Sequence, residues 1–212
     1  MGPPQWLGEV ETGRVKQETL RVDDISIYQL RTGATDFRAM LVEQDDWNDW
    51  RKLTDVNSLI DNWSPPSLRF YKPGETGLSG DRRSKPLPTG TDMPLVFGCL
   101  MTVVSQKFVA TVGQAFSKYG EFLPCRSSDG EFWIYHCTNE LDALDEARSE
   151  FSLTRDGKTI QTVYKYHFLP DAIAPDSVFR INKGSRYNTF ITSAVDATIR
   201  NPALHGITTE KI

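Results

Sequence analysis

The chain has 212 residues, of which 39% are hydrophobic and 25% charged, with a formal net charge of −4. That length fits one large domain or two small ones and allows a buried core. The mildly acidic balance argues against direct nucleic-acid binding, which calls for a basic patch.

Residues 1–13 carry Pro and Gly and predict no regular element. Met1-Gly2-Pro3-Pro4 has neither the charged start nor the apolar run of a secretory signal, and Trp6 stands where myristoylation needs Ser or Thr. No stretch reaches the roughly 20 apolar residues of a membrane helix. The expectation is a cytoplasmic protein that does not enter the membrane. Ile25, Ile27 and Gln29 alternate and predict a strand. Phe37 to Val42 predicts a second, and the Thr32-Gly33-Ala34 turn lets the two pair as a hairpin.

Between Glu43 and Trp63, six acids outnumber two bases, and three of the five tryptophans lie there. Asp45 or Asp46 can cap a helix starting at Trp47, with Trp47, Trp50 and Thr54 on one face. A structured loop leading into a short helix is the other reading. Acidic side chains beside tryptophan suit a binding surface, with Asp45, Asp46, Trp47, Asp49 and Trp50 as candidates, or else the tryptophans pack inside and the acids solvate the fold. Ser64-Pro65-Pro66 ends the unit, because proline cannot continue a helix. Leu68 to Tyr71 reads as a short strand. Lys72 to Met93 is rich in Gly, Pro, Ser and charge. It is either a linker between a region 1–92 and a domain 93–212 or a surface excursion of one domain.

Leu95 to Phe97 is apolar and leads into a helix from about Ser105 to Tyr119. Ser105 is its N-cap, Phe108, Val112, Ala115 and Tyr119 recur at helical spacing, and Gly120 stands at the stop. Glu121–Cys125 and Phe132–Cys137 flank Ser127-Ser128-Asp129-Gly130 and predict a hairpin with Trp133 buried and Cys125 opposite about Ile134. A helix is then expected from Thr138 or Asn139. In it Leu141 and Leu144 face the hairpin sheet, Ala147 or Arg148 continues the stripe, and Asp142, Asp145, Glu146 and Glu150 take the other faces. Asp156-Gly157 joins strands at Ser152–Arg155 and Thr159–Phe168. The second of these alternates Ile160, Thr162, Tyr164 and Tyr166 on one side. Lys183-Gly184-Ser185 joins Val178–Asn182 to Thr189–Thr192, and Ser193 to Arg200 forms a last helix. Hairpins dominate, which predicts an α+β fold: an antiparallel sheet with a few short helices packed on it.

No phosphate-loop, nucleophile-elbow or HExxH motif occurs. Gly157-Lys158-Thr159 lacks the upstream glycine of a phosphate loop, since Ser152 holds that place, and reads as a turn. His136, His167 and His205 are scattered, and a hydrogen-bonded, partly buried histidine is the ordinary outcome. Cys99, Cys125 and Cys137 are odd in number with no CxxC spacing, so three free thiols are expected. Asp142, Asp145 and Glu146, at i, i+3 and i+4 of the expected helix, would repel one another unless compensated. A divalent metal, an acid/base pair, a basic partner's surface or a solvated face with Arg148 paired to Asp145 or to another strand are the open readings. No cofactor, metal or catalytic residue is assigned.

The run GEFLP, the hairpin and LDALDEARSEF resemble a bacterial family of polymorphic-toxin immunity proteins, the eleventh of the numbered immunity families. Tyr166-His167-Phe168, Val178-Phe179-Arg180-Ile181, Tyr187-Asn188-Thr189-Phe190 and Leu204-His205-Gly206 extend the resemblance from about Pro94 to the end. It implies a cytoplasmic antidote that binds and blocks a cognate toxin domain and brings no catalytic residues. A nuclease toxin, with its basic groove, would suit an acidic surface. The alternatives are a metal-dependent hydrolase using Asp142–Glu146 and a regulatory protein-binding module.

Overall fold

The computed structural model describes residues 25–32, 40–42, 50–70, 90–97, 102–184 and 188–212. In chain order come β1 (Ile27–Thr32), β2 (Met40–Val42), β3 (Leu68–Phe70), β4 (Val96–Phe97) and β5 (Thr102–Ser105), followed by α1 (Gln106–Ser117). Next are β6 (Gly120–Pro124), β7 (Phe132–Cys137), β8 (Glu140–Leu141), β9 (Glu150–Leu153) and β10 (Ile160–Lys165). The chain closes with β11 (Val178–Ile181), β12 (Phe190–Thr192), α2 (Ser193–Ile199) and β13 (Ile207–Lys211). The fold is α+β and sheet-dominated, and its strand pairs are antiparallel apart from β8–β11 and β2–β4.

The central sheet, ordered β5-β7-β6, is buried on both faces. Alternation along the strands explains how. Val104, Tyr135 and Cys137 face a core filled by Phe108, Val112 and Phe116 of α1 and by Val195 and Ile199 of α2. Val103, Leu123, Phe132 and Ile134 face the opposite way, onto Met40, Leu53, Leu68, Phe70 and Val96. Those last residues come mainly from the small sheet β3-β2-β4. The two helices also cover one side of a five-stranded sheet, β13-β1-β12-β11-β8. Its other side holds Phe179, Ile181 and Phe190 under Leu144, Ile160 and Val163. Asp92, 3% exposed, joins three parts of the chain: Ser105 Oγ donates to it at 2.6 Å and the His205 amide at 2.8 Å.

The α1 helix forms where its capping serine and apolar spacing predict. Ser105 Oγ accepts the Phe108 amide at 3.1 Å. Gly120 ends it for a different reason from a positive backbone angle. It opens β6, and a Cβ there would collide with the His136 carbonyl and the Tyr135 hydroxyl. Gly157 does need the left-handed region, at φ 69°, and turns β9 into β10.

Several expectations are corrected. β1 and β2 are not a hairpin. β1 lies between β12 and β13, whereas β2 pairs with β3 and β4. The central hairpin has a longer loop, so Leu123, not Cys125, lies opposite Ile134; Cys125 meets Phe132, and Cys137 pairs with Gly120. On β10 the buried side is Ile160 and Val163, while Thr162 and Tyr164 point to solvent. Bulges between 160 and 162 and between 163 and 165 shift the phase. Trp133 is half-buried against the core.

The largest correction falls on LDALDEARSEF, which is not a helix. Glu140 and Leu141 form β8, parallel to Arg180 and Ile181, and residues 142–149 run on without a helix, with a bridge at Leu144 and a turn at 146–148. Neighbouring strands supply the backbone partners a helix would have found internally. The Asn182 amide donates to Leu141 O, the Leu169 amide to Ala143 O, and the Asp145 amide to His167 O. Leu144 is nonetheless buried, at 3% exposure, and Leu141 packs against the same core. Leu144 covers the five-stranded sheet rather than the hairpin sheet, and Leu141 is itself part of that sheet, on β8.

Candidate interaction surface

The acid-rich segment expected to bind a partner can be followed from Trp50 to Trp63. Asp45, Asp46, Trp47 and Asp49 lie outside the described residues, and of Trp50 only the backbone is described. Trp50–Thr54 is a 3₁₀ turn, not the start of a longer helix, and Ile60–Asn62 is another. So short a unit leaves its C-terminal carbonyls unsatisfied by its own backbone. Side chains from the central and five-stranded sheets satisfy them.

Arg180 on β11 is 2% exposed. Its Nη1 donates to Leu53 O at 3.1 Å and its Nη2 to Thr54 O at 2.8 Å. Its Nε stands 3.2 Å from Glu140 Oε2 on the adjacent β8, an ion pair whose angle falls outside hydrogen-bond geometry. The next carbonyl, Asp55 O, accepts from His136 Nε2 at 2.8 Å. His136 Nδ1 faces Glu121 Oε1 at 3.0 Å. A carbonyl oxygen only accepts, so Nε2 carries a proton, and Nδ1 is left facing the Glu121 carboxyl.

Glu121 and His136 are cross-strand partners on β6 and β7, on the side that faces the small sheet. Glu121 also accepts the Ser58 hydroxyl at 2.6 Å and the Leu59 amide at 2.7 Å. Burial pushes its carboxyl pKa up, but the bonds from Ser58, Leu59 and His136 outweigh this and hold it below its ordinary value. Trp63 Nε1 donates to Pro124 O at 2.7 Å. Trp63 thus fastens the segment's far end, packed half-buried against the core beneath.

The segment is held at residues 53–55, 58–59 and 63. Between these points Val56 is 40% exposed and Ile60 59% exposed, with the side chains of Asp55 and Asp61 also in solvent. Asp55 Oδ1 accepts the Val56 amide at 2.9 Å and the Asn57 amide group at 3.1 Å, so the loop is ordered internally as well.

The second acidic patch starts two residues beyond Glu140. Lys183 Nζ lies 2.9 Å from Asp142 Oδ1 and 2.6 Å from Glu146 Oε1. One ammonium thus supplies the compensation that the clustered acids require. Asp142 is held below its ordinary value by the bond from Lys183. Asp145 Oδ1 accepts the Ala147 amide at 3.1 Å and shapes the turn. Arg148 is exposed and does not pair with Asp145; with Lys211, His167, Phe168, Ile27 and Ile173 it lines a cleft of about 280 Å³. Among the described residues, no group of three or more His, Cys, Asp or Glu side chains is placed to hold a metal ion, and no helix is long and apolar enough to cross a membrane.

Glu121, His136 and Arg180 were not among the candidates drawn from the sequence. Two of them carried a signal. Arg180 interrupts the apolar run Val178–Ile181, and His136 sits in Trp133–Cys137. A charged or titratable group inside a fully buried strand must have a partner.

Residues 83–212 match the model of an immunity protein family, Imm11. None of the curated proteins compared with the chain matches it.

Proposed function

The chain belongs to the Imm11 immunity family, and on that premise we propose that it binds a cognate toxin domain in the cytoplasm and neutralises it by occlusion. Binding alone does the work in this reading, with no catalytic step and no cofactor. One observation carries it. Glu121, His136 and Arg180, all within the family-matched residues, hold an acidic, solvent-facing segment that lies before them in the chain. The family-matched domain acts as frame, and the region before residue 83 bears specificity.

Recognition then uses the acids and aromatics from Glu43 to Trp63, namely Asp45, Asp46, Trp47, Asp49 and Trp50, joined by Asp145 and Glu146. Glu140 supports this union: it pairs with the arginine that fixes Leu53 and Thr54, and it stands at the head of the strand leading into that second patch. A surface of one sign speeds encounter with a basic groove and rejects wrong partners. A nuclease toxin has such a groove.

The test is co-expression with the C-terminal domain encoded by the adjoining reading frame, followed by binding kinetics. The parent protects the cell and binds the domain. Reversing Asp45, Asp46 and Asp49 to Lys slows association and weakens its salt dependence, with the melting temperature nearly unchanged. A parent that neither protects nor binds sinks the reading.

A further inference from the structure

We infer that Val56 and Ile60 form the apolar anchor of the interface, seated in an apolar pocket that the partner rims with positive charge. This rests on the toxin-binding reading above and adds the residues and the chemistry of the contact.

The two side chains are exposed although the backbone around them is fixed. Arg180 and His136 hold residues 53–55. Glu121 holds 58 and 59, and Pro124 holds Trp63. Inward-facing residues of the same stretch are used up in the fold: Leu53 is buried, and Leu59 and Trp63 pack on the core. Among the described side chains of the segment, Val56 and Ile60 are the ones that direct large apolar surface outward. Binding energy concentrates in well-packed, desolvated pockets surrounded by contacts that exclude water, and a loop ordered beforehand loses little entropy on binding. Asp55 and Asp61 flank the pair and call for cations at the rim of the partner's pocket.

Two other exposed apolar side chains lack this arrangement. Leu153 and Tyr164 belong to the β9–β10 ribbon, a two-stranded sheet whose strands pair only with each other. Two charged side chains on that ribbon, Lys165 and Glu150, pair with one another.

The experiment uses the full chain and the C-terminal domain of the adjoining reading frame as probe. Val56→Ser with Ile60→Ser is compared with the parent and with Leu153→Ser. Both positions are exposed, so the melting temperature stays within a few degrees of the parent's. The double variant weakens binding about tenfold or more, mainly through faster dissociation. Leu153→Ser binds as the parent does. Hydrogen exchange of the parent complex slows at residues 53–63. If the parent binds and the double variant binds equally well, or if exchange slows only elsewhere, the anchor is wrong and the toxin-binding reading stands. If the parent itself fails to bind, both fall.

Discussion

Arg180 Nη2 donates to the Thr54 carbonyl at 2.8 Å across 126 positions of sequence. The carbonyls at the end of the Trp50–Thr54 turn carry partial negative charge, so a cation is the fitting cap. Arg180→Met removes that cap and leaves Glu140, whose side chain is 22% exposed, without its partner. The expected cost is about 3–5 kcal/mol, because the uncompensated charge stays largely buried. Arg180→Lys recovers only part of this, since one ammonium cannot span two carbonyls and a carboxylate in a planar fork. Urea denaturation midpoints of the parent and the two variants check the order.

Glu121 makes the stability pH-dependent, and the sign follows from its environment. Burial alone would raise its pKa, but the bonds from Ser58, Leu59 and His136 lower it below the unfolded value. Its contribution is therefore present at neutral pH and lost as pH falls through the folded-state pKa, below the ordinary carboxylate range. Glu121→Gln is less stable than the parent near pH 7, and the gap closes in acid. Chemical denaturation at a series of pH values tests this. A constant gap from pH 7 to pH 3 would mean that the carboxylate's charge contributes nothing.

Leu144 keeps its weight although its helix is absent. It is 3% exposed and bridges to Phe168, beside the Phe168, Phe179 and Phe190 rings. Leu144→Ala is expected to cost about 2–5 kcal/mol. An unchanged denaturation midpoint would place this side chain outside the core.

Cys137 is buried on β7, and that burial pushes its thiol up to about 11. The thiolate is the reactive form, so the folded protein resists alkylation there. Cys125 is only half-buried. Iodoacetamide followed by peptide mass spectrometry is expected to leave Cys137 unmodified in the native protein and to modify all three cysteines in urea without reductant. Rapid native labelling of Cys137 would show that β7 opens easily.

Local chemistry was readable from the sequence wherever one segment satisfies itself. Ser105 caps α1, Gly157 turns β9 into β10, and β11 pairs with β12 as the Lys183-Gly184-Ser185 turn between them predicts. Reading failed where distant strands decide. Glu140 and Leu141 leave helical spacing because Arg180 and Ile181 offer a parallel edge, and β2 leaves β1 because β3 and β4 flank it. The acidity of residues 43–63 was plain. Its supports were hidden, because Glu121, His136 and Arg180 lie some 60 to 130 positions away.

The separation between Thr54 and Arg180 also orders events in time. Residues 50–63 leave the ribosome well before β7 and β11 exist to hold them. Closing a loop of that span is entropically costly until both ends have something to grip, so long-range pairings come late in folding. The segment proposed to meet a partner is thus completed only after the sheets behind it, and a nascent or C-terminally truncated chain has the acids without the shape. On the toxin-binding reading proposed above, the acidic segment accordingly takes its binding shape only once β7 and β11 are in place.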